Sequence, residues 1–173
     1  MAMDYPINLD VSERRVVVVG GGSVATRRIR RLLDRQAQVC VVAPEITEDL
    51  RELAASHPKL RRVDRGYVDG DIRDAALVFA ATDDPRANER VARAARQAGI
   101  PVNVADSETA GDFAVPAEIT FGPIQITVAT GGASPALSGA LRRHLEGTLS
   151  EGWARGACIM GQLRRLVDPS SSE

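Results

Sequence analysis

The sequence predicts an α/β fold, a doubly wound parallel sheet followed by a small α+β piece and a C-terminal helix. Three observations carry this. Residues 16–19 are four consecutive valines, a β-branched run without polar alternation, as expected of a strand covered on both faces of a parallel sheet. That run enters Gly20-Gly21-Gly22, and the stretch beyond has its apolar residues at helical spacing. Strand-like and helix-like runs then alternate to about residue 112, where an alternating ribbon pattern replaces them.

Residues 14–19 form the first predicted strand. Ala25, Ile29, Leu32, Leu33 and Gln36 mark one face of the helix that follows, and Arg27, Arg28, Arg30, Arg31 and Arg35 occupy the rest. Such an arginine run reads as a solvated face, with an acidic partner as the alternative. Residues 39–43 predict a second buried strand, stopped by Pro44. Thr47 is the expected N-cap of a short helix to Ser56, with Leu50, Leu53 and Ala54 inward. Residues 60–63 and 77–81 predict strands three and four. Asp84-Pro85 supplies an N-cap and a proline at the first helical position of a helix to about Ala98. Gly99 ends it, and residues 101–104 predict a fifth strand. This order implies right-handed crossovers with helices on both faces of the sheet.

Residues 118–121 and 124–129 flank Gly122-Pro123, and Ile124, Ile126 and Val128 alternate with Gln125, Thr127 and Ala129. That predicts an antiparallel ribbon with one apolar face. Two strands alone are marginally stable, so the ribbon is expected to pair with another subunit. Ser134-Pro135 opens a helix on which Leu137, Leu141, Leu145 and Leu149 recur every fourth residue. Residues 153–167 predict a last helix with Ile159, Leu163 and Leu166 apolar. The expected division is 1–112 for the sheet domain, 113–150 for a dimerisation domain and 151–173 for a helical segment and tail.

Composition bounds the function. At 173 residues the chain has room for one full domain and an appendage, and a core of that size needs no disulfide or structural metal. With 22 Lys+Arg against 23 Asp+Glu, bulk attraction to phosphate does not drive partner choice, so no nucleic-acid partner is expected. Aromatics at 3% argue against base-stacking platforms. Cys40, Cys158, His57 and His144 show no metal-ligand spacing, and both histidines read as surface residues. No metal cage is expected. The first residues lack the regions of a signal peptide, and no apolar run approaches the ~18 residues of a membrane span. A cytoplasmic protein without membrane contact is expected.

Gly20-x-Gly22-x-x-Ala25, after a strand and before a helix, is the dinucleotide fingerprint of a Rossmann fold. The first glycine permits the turn, the second lets backbone approach a pyrophosphate, and Ala25 lets helix pack on strand. The expected cofactor is NAD. Ala43 stands where a ribose-binding carboxylate is usual, Glu45 is close by as a substitute, and no arginine marks a 2′-phosphate. The fourth strand ends Ala80-Ala81-Thr82-Asp83-Asp84 at the edge where ligands collect. Asp84 reads as a helix cap, while Thr82 and Asp83 are candidate cofactor contacts or plain loop residues.

Five words follow one another in order: Val17-Val18-Val19-Gly20-Gly21-Gly22-Ser23-Val24-Ala25, Val42-Ala43-Pro44-Glu45, Ala80-Ala81-Thr82-Asp83-Asp84, Asn103-Val104-Ala105-Asp106 and Thr130-Gly131-Gly132-Ala133-Ser134-Pro135. Together they resemble the precorrin-2 dehydrogenases, including the N-terminal module of siroheme synthase, over roughly residues 4 to 165. The resemblance implies a Rossmann domain, a small dimerisation domain and a helical part. It implies NAD-dependent oxidation of precorrin-2 to sirohydrochlorin, and in some members insertion of Fe2+ to give siroheme. It matches Ser23 and Val24, and Pro44 and Glu45, to the positions that hold the dinucleotide, so the absent acid at Ala43 is a family trait.

The resemblance also matches Asp106 to the family's catalytic aspartate. On its own position after the fifth strand, Asp106 is suited to act as a general base, or to close an Asx turn with Ser107 and Glu108. Thr130, Gly131, Gly132 and Ser134 form a glycine-rich bend into a helix N-terminus, which offers N–H donors to an anion. One carboxylate arm of an eight-carboxylate tetrapyrrole fits that description, with Arg142 or Arg143 as helpers; a plain cap by Ser134 is the alternative. Thr130 matches a serine that is phosphorylated in siroheme synthase. If iron is handled, substrate nitrogens and Asp106 would do most of it. The expected function is that of an NAD-dependent precorrin-2 dehydrogenase acting as a homodimer. The alternative is a non-catalytic NAD-sensing or ligand-sensing regulatory dimer.

Overall fold

The structure, a computed structural model, describes residues 5–105, 107 and 110–167. Its first compact unit, Tyr5–Ala114, holds β1 (Arg15–Val19), α1 (Ser23–Asp34), β2 (Gln38–Val42), α2 (Glu48–Ser56), β3 (Leu60–Val63), a 3-10 turn (Asp69–Ile72), β4 (Leu77–Ala80), α3 (Pro85–Gln97) and β5 (Val102–Val104). The five strands are all parallel, in the order β3-β2-β1-β4-β5. Strand order therefore reverses between β1 and β4, which opens a crevice at the carboxyl edge beside β1.

The valine run is explained by two cores. Val16 and Val18 face Ile29, Leu33 and Leu50 on one side of the sheet, and Val17 and Val19 face Ile72, Val91 and Ala95 on the other. Every residue of the strand end is buried, so a polar alternation would place unsatisfied groups inside. Each such valine contributes about 1.5–3 kcal/mol of burial.

Helix ends follow local chemistry. Thr47 Oγ1 accepts from the Leu50 N–H at 3.3 Å, and Asp84 accepts from the Arg86 N–H at 2.9 Å. Gly99 stops α3 at φ +69°. The expected apolar face of α1 is shorter than its sequence pattern. Gln36 is exposed and lies beyond the helix at φ +61°. The Ala37 N–H donates to Leu32 O and the Gln36 N–H to Leu33 O, the two bonds of a Schellman stop.

The second unit comprises β6 (Ala117–Phe121), β7 (Ile124–Val128), α4 (Pro135–Thr148) and α5 (Glu151–Val167). β6 and β7 are antiparallel, with Ile119 opposite Ile126 and Gly122 turning the chain at φ +57°. α4 packs on this ribbon. Ile119 is buried, Ile124, Ile126 and Val128 are half-buried, and Leu137 and Leu141 are exposed. α5 has no buried residue among those described, and its Trp153, Ile159, Met160, Leu163 and Leu166 are all exposed. No helix among the described residues is long and apolar enough to cross a membrane.

Candidate functional site

The glycine turn lies where β1 ends between β2 and β4. Gly20 donates its N–H to Val42 O at 3.0 Å and has φ +119°; a Cβ there would lie 2.2 Å from Ala81 O. At Gly21 a Cβ would lie 2.1 Å from Glu45 O, and Gly21 O accepts from the Thr47 N–H at 3.0 Å. Gly22 differs from both. Its φ is an ordinary −79°, and a Cβ there would meet nothing within 4 Å.

The protein's own backbone thus requires glycine at 20 and 21 but not at 22. The open side of Gly22 belongs to the N-terminus of α1, where among the described residues no side chain caps the helix and the first turn holds no acid. The N–H groups of that turn have no intrahelical acceptors, and the helix dipole favours negative charge there. This arrangement fits a dinucleotide pyrophosphate. Ser23 is exposed, Val24 half-buried, and Ala25 fully buried where α1 meets the sheet.

Two threonines hold the turn in place. Thr26 Oγ1 lies 3.0 Å from Gly22 O and 2.9 Å from Thr47 Oγ1, which ties α1 to the loop after β2. The sequence reading found Thr47 as a cap but not this link, because neither spacing nor residue type announces a pairing across two βα units. In that loop Ala43 is buried, while Pro44 and Glu45 are exposed. The backbone of Glu45, rather than its carboxylate, is what abuts the turn.

Across the crevice, Ala80 and Ala81 are buried, and Ala81 N–H donates to Val19 O at 2.8 Å. Thr82 is half-buried and Asp83 exposed. Both border a cleft of about 580 Å³ whose walls include Asn88, Arg93, Val104 and Ala105. Asp84 caps α3. Asp106 lies outside the described residues, as does Glu108.

In the second unit, Gly131 and Gly132 take φ +56° and +81°, and both are exposed. The Ser134 hydroxyl accepts from the Leu137 N–H at 3.1 Å, so the cap is present. Thr130 Oγ1 accepts from the Ser134 N–H at 3.2 Å and lies 3.0 Å from Ser138 Oγ. The donors of Ala133 and Ser134 are thus used within the bend. Arg142 pairs with Glu146 at 2.8 Å.

The arginines of α1 do not all lie on a solvated face. Arg30 pairs with Asp49 at 3.1 Å, but Arg28 is half-buried over the Phe79 ring, 5.2 Å from its centroid. His57 is half-buried at the end of α2, where its Nδ1 accepts from the Lys59 N–H, and His144 is exposed. Burial pushes the Cys40 thiol upward, and Cys158 is exposed.

Known proteins fall in line with this geometry. An NAD(P)-binding family model matches residues 7–117, and a sirohaem biosynthesis protein central-region model matches residues 122–148. Siroheme synthase of Nitrosomonas europaea is 40% identical over 166 residues, covering 95% of this chain and 35% of that protein. Siroheme synthase of Nitrosospira multiformis is 39% identical, covering 94% and 35%. The chain therefore spans about a third of the length of the curated relatives it matches. The solved structure of SirC, a precorrin-2 dehydrogenase, superposes with a TM-score of 0.79 at 30% identity, covering 95% of this chain and 80% of that one. Sequence and structure agree over both units, and the chain belongs to the NAD(P)-binding precorrin-2 dehydrogenase family.

Proposed function

We propose that this chain binds NAD on the glycine turn and oxidises precorrin-2 to sirohydrochlorin, acting in the cytoplasm as a homodimer. The observation that carries the reading is Gly22, a glycine that the protein alone does not need, above an uncapped helix N-terminus. NAD, when bound, supplies the hydride acceptor. The N–H groups of Ser23, Val24 and Ala25 face the pyrophosphate, with Gly20 and Gly22 shaping the turn. Pro44 and Glu45 border the adenosine ribose, and Thr82 and Asp83 form the opposite wall. Asp106 takes a proton from a second atom of the substrate as the hydride leaves its carbon for the nicotinamide, so that a new double bond forms between the atoms left behind.

Thr130, Gly131, Gly132 and Ser134 orient one carboxylate arm of the tetrapyrrole: the Gly131 and Gly132 N–H groups face it, while Thr130 and Ser134 hold the bend in shape. Residues 113–150 act as the dimerisation domain, 151–173 as a helical segment, and 1–112 as the cofactor domain. The exposed apolar residues of α4 and α5 support pairing with a second copy. Fe2+ is a candidate further substrate, tested by following siroheme in the same reaction.

The test mixes the protein with NAD and precorrin-2 and records the sirohydrochlorin absorption spectrum. Wild type produces it. Asp106→Ala binds NAD as wild type does but loses about a hundredfold or more in turnover, the usual contribution of a positioned base. NAD binding without oxidation of precorrin-2 by wild type would sink the catalytic reading.

A further inference from the structure

The wall opposite the glycine turn is held by one side chain that the dinucleotide fingerprint does not include. Asn88, in the first turns of α3, is buried at 7% exposure. Its Oδ1 accepts from the Thr82 N–H at 3.1 Å, and its Nδ2 donates to Thr82 O at 2.9 Å. The Thr82 hydroxyl lies 2.7 Å from the same Oδ1 and 3.0 Å from Asp84 O, and it accepts from the Asp84 N–H at 3.2 Å. One carboxamide therefore satisfies both backbone groups of Thr82, an arrangement that only a side chain with a donor and an acceptor side by side can make.

The clamp acts at the crevice. A Cβ at Gly20 would lie 2.2 Å from Ala81 O and 3.0 Å from Thr82 N, so the Thr82 peptide is the surface on which the glycine turn rests. Past the end of β4 the two backbone groups of Thr82 have left the sheet ladder. Unclamped, they need other partners, and the adjacent crevice is where a ligand would meet them. Asn88 turns them toward α3 and leaves Asp83 exposed at the wall.

We infer that Asn88 is a positioning residue for the cofactor: it sets the Thr82-Asp83 wall against the glycine turn and so tightens NAD binding without touching the reacting atoms. The inference rests on the NAD reading above. Direct titration calorimetry with NAD tests it on wild type, Asn88→Ala, Asn88→Asp and Val91→Ala. Val91 is fully buried on the same helix, in the apolar cluster with Val17, Val19 and Ala95, and its side chain has no polar atom to bond Thr82, so Val91→Ala reports what loosening α3 does by itself.

Asn88→Ala is expected to raise the NAD Kd about tenfold, the scale of the hydrogen bonds lost. KM for NAD should rise in parallel while kcat stays within about twofold, as for lost uniform binding. Asn88→Asp keeps the acceptor and loses the donor, and should show an intermediate rise; it also serves if the alanine variant does not fold. Val91→Ala should lower the melting temperature yet leave Kd unchanged. A folded Asn88 variant with wild-type Kd, or a Val91→Ala variant weakened as much as Asn88→Ala, overturns the positioning role. Failure of wild type to bind NAD overturns the cofactor reading and this inference with it.

Discussion

Gly20, Gly21 and Gly22 are chemically identical, yet the structure separates them. Gly20 needs its positive φ and its closeness to Ala81, Gly21 is pressed against the backbone of Glu45, and Gly22 faces open space. The fingerprint reading of the sequence found roles for the first and third and left Gly21 as a free position. The contact that constrains Gly21 comes from the loop after β2, which no local pattern around the turn can reveal. Gly21→Ala must push that loop away, and we expect a loss of about 1–3 kcal/mol in stability, as for overpacking. Urea unfolding measures it; a wild-type midpoint would contradict the contact. Asn88 was illegible for a related reason, since a polar residue in a helix reads as solvent-facing until its loop partner is placed.

At the scale of elements, the strands and caps were legible because their signals are local: β-branched runs, Thr47, Asp84-Pro85 and Gly99. The end of α1 was not, because Gln36 continues the helical spacing while its backbone turns left-handed. The sequence pattern assigns no element to the connection between β3 and β4. There Arg65 donates to both carboxylate oxygens of Asp71 at 2.7 and 2.6 Å, and the Val68 N–H donates a third bond at 2.9 Å. Arg65 foremost, with Val68 assisting against the opposing effect of burial, holds the Asp71 carboxyl below its usual range.

A carboxyl depressed on folding stabilises fully above the unfolded chain's value, about 4. That contribution is lost as pH falls through the folded value. Asp71→Asn should therefore cost about 1–2 kcal/mol at neutral pH, and its stability curve should converge on wild type under acid conditions. Parallel curves from pH 7 down to acid unfolding would contradict this.

For the whole molecule, the parallel sheet and the ribbon with its helices were both predictable, since each follows its own periodicity. The cover of the apolar stripes was not. Leucine spacing on α4 predicts a buried face, but Leu137 and Leu141 are 50% and 40% exposed and Trp153 on α5 is 65% exposed. Periodicity states that a face is apolar, not which surface meets it. The proposed pairing of two copies predicts sedimentation at about twice 18.5 kDa, and Leu141→Glu with Trp153→Glu should yield folded monomer. A wild-type monomer at micromolar concentration would contradict the assembly.

The claim on which the rest depends is that a dinucleotide occupies the space above Gly22. Gly22→Ser isolates it, because the backbone there is extended and serine is a favoured N-cap. The variant should keep or slightly raise the melting temperature. In the same stroke its side chain fills the open space and takes an N–H donor of α1. NAD titrations of wild type and Gly22→Ser, with their melting curves, are therefore the most direct measurement. The NAD Kd should be at least about tenfold weaker in the variant at undiminished stability; equal NAD affinity in the two folded proteins would contradict a dinucleotide above Gly22.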